Sequence, residues 1–172
     1  MKRFVIYLFA CSVLVAALLA CGEASSNSGT AVSTSQETPA SAPVKHFAVG
    51  QGVKIGNTYE VTINSVKTSP GDDISQPKSG NQYLLVDASI KNISSKEQDV
   101  SSIIMWHLQD ATGLTYHETF TDLGQAPDGK VEPGSPIRGT LSYEVPTTLK
   151  KFSLSFQADF TASGQTIWDL SV

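Results

Sequence analysis

The 172-residue sequence predicts an all-β domain over residues 45–172. It is expected to be an antiparallel sandwich of about 7–9 short strands, set behind a signal helix and a disordered tether. Three observations carry this reading. Apolar residues recur with period two, clusters of Gly, Pro, Asn, Asp and Ser separate the runs, and no window sustains a helical period.

The chain opens Met1-Lys2-Arg3 and runs without a charge from Phe4 to Ala20. Two cations ahead of an apolar segment that ends in small residues make a three-part export signal, assigned to 1–20. An uncleaved anchor would need about 20 apolar residues to cross the bilayer core, slightly more than this run supplies. Leu18-Leu19-Ala20-Cys21 resembles the bacterial lipobox, in which the cysteine thiol is acylated and becomes the mature N-terminus. Cys21 is therefore the expected lipidation site. Cleavage at the similar Leu8-Phe9-Ala10-Cys11 would leave too short an apolar segment, so Cys11 belongs to the signal. Lipid anchoring contributes about 0.8 kcal/mol per buried CH₂, and more than one chain is needed for a lasting hold.

The tether, 21–44, is Ser, Thr, Ala, Gly and Pro with two glutamates and no aromatic residue. It buries too little apolar surface to offset the entropy of ordering. As a flexible chain its reach is about 25–30 Å.

Beyond Lys45 the alternation begins. Ile137, Gly139, Leu141, Tyr143 and Val145 interleave with Arg138, Thr140, Ser142 and Glu144, as a half-buried strand requires. Leu84, Val86, Ala88 and Ile90 alternate in the same way, as do Phe152, Leu154 and Phe156. Tyr59, Val61 and Ile63 keep phase until Val66, which places a bulge at Asn64-Ser65. Ile104, Trp106 and Leu108 read as a further strand. Turn chemistry at Gly56-Asn57, Ser69-Pro70-Gly71-Asp72, Asn92 to Ser95, Thr112-Gly113, Asp128-Gly129 and Pro133-Gly134 divides these runs. The spacing gives the sandwich an immunoglobulin-like outline, with a barrel as the alternative.

Loss of Lys2 and Arg3 with the signal leaves ten basic against sixteen acidic residues. That surface excludes nucleic acid, whose binding depends on cations that neutralise phosphates. The mature domain has no cysteine other than Cys21, so disulfides cannot stabilise it and a hydrophobic core must.

Three segments, within Gly50 to Val172, resemble the bacterial telokin-like lipoprotein domain of unknown function, which is similar to the immunoprotective extracellular protein family. They are Gly80 to Asn92, ending in Lys91-Asn92; Trp106-His107-Leu108-Gln109-Asp110 with Gly113 and Tyr116; and Val131-Glu132-Pro133-Gly134 followed by Gly139 to Pro146. Trp106 and Tyr143 stand where the family pattern has phenylalanine. The resemblance implies a sandwich fold and an exported location, and it carries no active-site residues.

No catalytic constellation is recognised, and no cofactor is expected. His117-Glu118-Thr119-Phe120-Thr121 begins like a zinc-protease motif but lacks the second histidine. Met105, His107 and His117 are candidate metal ligands, since thioether and imidazole suit copper. A four-residue turn over Asp110–Gly113 would put His107 opposite Tyr116 and the two imidazoles on opposite faces. Asp72-Asp73 lacks the ligand spacing of a calcium loop, and His46 is expected to be exposed. Trp106, Trp168, Tyr143, Phe152 and Phe156 are in phase with the core, whereas Tyr83, Tyr116 and Phe120 are candidates for a contact surface.

The expected function is that of a non-enzymatic interaction domain, lipid-anchored on the extracytoplasmic face of a bacterial cell envelope. The loops Thr68 to Asn81 and His117 to Pro136 would face an envelope protein, a glycan or a small ligand. An envelope copper carrier is the alternative, and an unrecognised hydrolase a third.

Overall fold

A computed structural model describes residues 44–158 and 165–172. The signal segment, Cys21 and the tether up to residue 43 lie outside the described residues.

Two sheets enclose one core. The first orders β1 (Lys45–Phe47), β11 (Thr166–Ser171), β10 (Lys151–Phe156), β6 (Trp106–Asp110) and β7 (Thr115–Tyr116). The second orders β2 (Gly52–Ile55), β3 (Tyr59–Ser69), β4 (Asn81–Asn92) and β9 (Pro136–Pro146). A two-stranded ribbon pairs β5 (Gln98–Val100) with β8 (Gly129–Val131), and α1 (Ser102–Met105) is a single helical turn. Neighbours in the two sheets are antiparallel except β1, which runs parallel to β11.

Alternation sorts each strand's side chains as expected. Leu84, Val86, Ala88 and Ile90 of β4, with Leu141, Tyr143 and Val145 of β9, face Phe152, Leu154, Phe156, Trp168 and Leu170 of the opposite sheet. Trp106, Phe156, Tyr59 and Trp168 interlock through tilted and edge-on rings with centroids 4.8–5.9 Å apart, a geometry that adds to their area burial. The β3–β4 register shifts between Ile63 and Ser65. Asn64 occupies that bulge, and its amide donates to Asp87 Oδ1 (2.9 Å) and Ser89 Oγ (2.8 Å).

Asn92, the last residue of β4, is fully buried. Its amide donates to the carbonyls of Lys96 (2.7 Å) and Val131 (2.8 Å), and its oxygen accepts from the Ser94 N–H (2.9 Å) and hydroxyl (2.7 Å). The Gly134 N–H bonds the Asn92 carbonyl at 2.8 Å. This side chain thus holds the turn at one pole of the sandwich.

Three expectations are corrected. Ile104 lies in α1, half exposed, and the strand begins only at Trp106. Tyr83 is 4% exposed. It points to the outer face of β4, away from the core, yet lies in a hollow beneath Ile74 and Phe120. The β6–β7 hairpin pairs Leu108 with Tyr116 and Gln109 with Thr115, one residue away from the expected register. Its turn sets that register: Asp110 N–H donates to the Leu114 carbonyl (3.1 Å), which closes a three-residue loop with Gly113 at φ 85°.

Candidate functional site

The loop between β3 and β4 closes on itself. Asp72 Oδ1 accepts the N–H groups of Ile74 (2.9 Å) and Ser75 (2.6 Å), while the Asp72 N–H donates to the Ser75 carbonyl (2.9 Å). Gly71, at φ 89°, sits so close beneath this ring that a Cβ would meet the Ser75 carbonyl and lie 2.9 Å from Pro77 Cδ. One Asp72 oxygen is thus committed to its own loop, and Ile74 is turned outward, 79% exposed.

The segment after β7 leaves the first sheet and wraps the free edge of β9. Glu118 bridges to Tyr143, Thr119 N–H donates to the Ser142 carbonyl (2.7 Å), and Thr140 N–H donates to the Gln125 carbonyl (2.7 Å). Between these anchors Gly124 lies against Thr140, where a Cβ would be 2.6 Å from Thr140 Cβ, while Phe120 and Asp122 are exposed. Ala88 and Gly139 are cross-strand neighbours, and their small size leaves room for the 125–127 backbone to lie over Gly139.

The two loops meet. Asp122 N–H donates to Ser75 Oγ at 3.0 Å, and Thr121 Oγ1 bonds Ser142 Oγ at 3.1 Å. Phe120, 79% exposed, stands between two hollows. One, of about 350 Å³, lies between Ile74 and Phe120 above Tyr83. The other, of about 530 Å³, is bordered by Glu118, Asp122, Asp128 and Thr140. Burial raises the Tyr83 hydroxyl pKa, and the Glu144 and Asp72 carboxylates add to the rise.

Glu118 shares Tyr143's face and points toward the core. Its Oε2 and the Tyr143 hydroxyl are both buried without a hydrogen-bond partner. Burial pushes the Glu118 carboxyl up; the nearby Ser102 hydroxyl opposes the rise and Asp128 adds to it. Tyr143 is raised for the same first reason, with Glu118 second. Asp128 accepts the Ser102 N–H (2.5 Å) and hydroxyl (3.1 Å) and so caps α1, whose own N-cap residue Ser101 makes no side-chain bond.

Of the three candidate contact aromatics, Phe120 stands out, Tyr116 is half-buried edge-on to Phe152, and Tyr83 is covered. His46 is exposed and its Nδ1 lies 2.9 Å from Asp169 Oδ1. The corrected hairpin register brings His107 and His117 to facing positions one step beyond the last pair. That is the outer face, where Gln109 bonds Thr115 at 3.1 Å. Met105 instead packs against the core. Among the described residues no group of three or more His, Cys, Asp or Glu could hold a metal ion. The sequence alone located the β3–β4 loop but took His117 to Pro136 as one loop, which β8 (Gly129–Val131) interrupts, and it missed Ile74, a lone aliphatic in a polar turn. It also missed the inward-facing Glu118, for which no local signal exists.

Fold and site together define a class: an all-β sandwich domain whose long loops join over one sheet. The chain belongs to the family described as domain of unknown function DUF4352, which matches residues 47–167. No curated protein matches it. Among solved structures it is similar to ycdA, a candidate lipoprotein of Bacillus subtilis (14% identity, TM-score 0.58, covering 69% of this chain and 38% of that one). It is also similar to an uncharacterized beta-sandwich protein of Clostridium difficile 630 (18%, 0.53, 77% and 99%). A third is MPT63, a secreted protein from Mycobacterium tuberculosis (14%, 0.55, 75% and 99%). The chain thus spans little more than a third of the length of ycdA, and these likenesses show the fold.

Proposed function

We propose that the protein is exported, anchored to a membrane by acylated Cys21, and presents the joined loops 70–80 and 117–128 to a partner in the cell envelope. The observation that carries the reading is the Asp122–Ser75 hydrogen bond, which fastens two long loops into one surface with Ile74 and Phe120 each 79% exposed. Large apolar side chains brought together in this way, on a chain with a full core of its own, mark a contact site. Topology supports the display. The described chain starts at the pole where Lys45 pairs with Thr166, whereas loop 70–80 leaves from the pole of Ser69, Asn81 and Pro146. β3 alone separates those poles by about 30 Å. An anchored domain entered from the first pole would hold the second away from the membrane.

A photo-crosslinking residue at position 120 of the full chain in intact cells should capture a specific partner, whereas one at exposed Lys54 on β2 should not. Equal capture at both positions, or none at 120, would overturn the choice of surface. For the anchor, Cys21→Ser should leave unprocessed precursor without acyl mass, and an unchanged membrane-bound product would refute lipidation.

The hairpin register favours one second reading, copper held by His107 and His117. Full-length protein should then bind copper with a stoichiometry that His107→Ala abolishes, and titration without heat at micromolar metal would end that reading.

A further inference from the structure

We infer that the joined loops receive a basic, partly apolar segment of a partner protein: lysine or arginine side chains meet Asp73 and Asp122 while an apolar side chain enters the hollow between Ile74 and Phe120. This rests on the reading of that face as the recognition surface and names the chemistry it selects.

The charge on the face is one-sided. Segments 70–80 and 117–128 carry Asp72, Asp73, Glu118, Asp122 and Asp128 against Lys78 alone. The Lys78 backbone N–H donates to Glu144 Oε1 at 3.0 Å and its charge helps to hold the Glu144 carboxyl low, which leaves the two segments with five carboxylates against one exposed cation. No lysine or arginine lines either hollow. Asp128 caps α1, Glu118 is turned inward, and Asp72 gives one oxygen to its own turn. Asp73 and Asp122 remain exposed, with no side-chain hydrogen bond among the described residues, one beside Ile74 and the other two residues after Phe120. Exposed apolar groups flanked by unspent carboxylates suit a ligand carrying both an apolar side chain and a cation.

Other occupants fit less well. A glycan would find the Gln76 amide at this hollow, but the Thr121 and Ser142 hydroxyls bond each other and Ser75 Oγ accepts the Asp122 N–H, and a neutral sugar would leave Asp73 and Asp122 without a countercharge. The tether has glutamates and no lysine or arginine, so it is repelled, as is the same face of a second copy. Anionic lipid and nucleic acid carry the wrong sign.

The test uses the full-length chain in non-ionic detergent and a short fluorescein-labelled peptide of alternating lysine and tryptophan, with a glutamate–tryptophan peptide as its counterpart. Anisotropy should show binding of the lysine peptide alone, weakening as salt rises from about 0.05 to 0.5 M. Asp73→Asn with Asp122→Asn should weaken it roughly three- to thirtyfold, as expected for two exposed ion pairs. Phe120→Ala should weaken both salt-sensitive and salt-resistant binding. Equal binding by the double variant overturns the inference, as does binding of soluble peptidoglycan fragments in place of the peptide. If position 120 captures a partner in cells and the double variant captures it equally well, the recognition surface stands and the basic partner falls. If position 120 captures nothing, the surface itself is wrong.

Discussion

Gly139→Ala tests the seating of the 117–128 loop. Gly139 lies within β9, paired with Ala88, at an ordinary extended φ, so its own backbone conformation would accept alanine. What forbids it is the neighbouring loop. A Cβ would lie 2.5 Å from Pro127 N and 2.6 Å from the Ala126 carbonyl carbon, and would also meet the Gln125 carbonyl oxygen. All three atoms are backbone, so no rotamer change relieves the clash, and the loop must lift by about 1 Å to reach ordinary contact. Lifting breaks the 2.7 Å bond from Thr140 N–H to Gln125. Overpacking of this kind costs about 1–3 kcal/mol, and the lost hydrogen bond about 0.5–1.5 kcal/mol. The expected loss is therefore roughly 2–4 kcal/mol, or about 6–15 °C in Tm for a domain of this size. Urea and thermal unfolding measure it, and hydrogen exchange at the Thr119 and Thr140 amides shows whether the loop has detached. Gly52→Ala is the control, because its Cβ would meet nothing nearer than Thr62 Oγ1 at 3.3 Å. Unchanged stability and unchanged protection in Gly139→Ala would mean that the loop does not lie on β9, and the joined surface would fail with it.

Asn92→Ala should cost about 2–4 kcal/mol in urea unfolding, because it strands two carbonyls and a Ser94 N–H at a fully buried position. Glu118→Gln should raise stability at neutral pH. Burial lifts the folded carboxyl above its unfolded value, so its contribution is complete below about pH 4.3 and falls as pH rises through the folded pKa; the variant's urea midpoint should not show that fall. Asp87 has the opposite sign. The Arg138 hydrogen bond, opposed by burial and aided by Asn64, holds it low, so its contribution is present above about pH 3.9 and is lost as pH falls through the folded value. Asp87→Asn should flatten that acid limb of the unfolding profile.

How much of this was legible in the sequence depended on range. Period two located the long strands, the phase change after Ile63 located the bulge, and Trp106, Trp168, Tyr143, Phe152 and Phe156 were recognisable as core because each is in phase with its aliphatic neighbours. The hairpin register was missed because a single residue in the turn decides it: Asp110 pairs with Leu114 and its carboxylate gathers Thr112, so three residues close the loop where four were expected. Tyr83 read as exposed because the hollow it lines is walled by two loops, residues 74–76 and 120–122, the second beginning 37 residues further on. The strand expected at Ile104 starts two residues late because Asp128 caps a helical turn from 26 residues away. Gly139 read as one more strand residue, and its necessity appears only when the 125–127 backbone is laid across it.

The second sheet guards its two edges by different means, and the difference bears on the proposed contact surface. Against β3, β2 covers only Tyr59 to Thr62, and the strand beyond the bulge exposes Lys67, a charge that discourages pairing with another chain. At β9 the guard is the backbone of the 117–128 loop, bonded at Thr119 and Gln125. Backbone groups spent on edge pairing fix the path of the loop while leaving the Phe120 and Asp122 side chains outward. Phe120 and Asp122 are consequently held on a fastened loop rather than a free one, and less conformational entropy is lost when they meet a ligand. The same docking that prevents nonspecific strand addition therefore preorganises the surface on which a specific partner would bind.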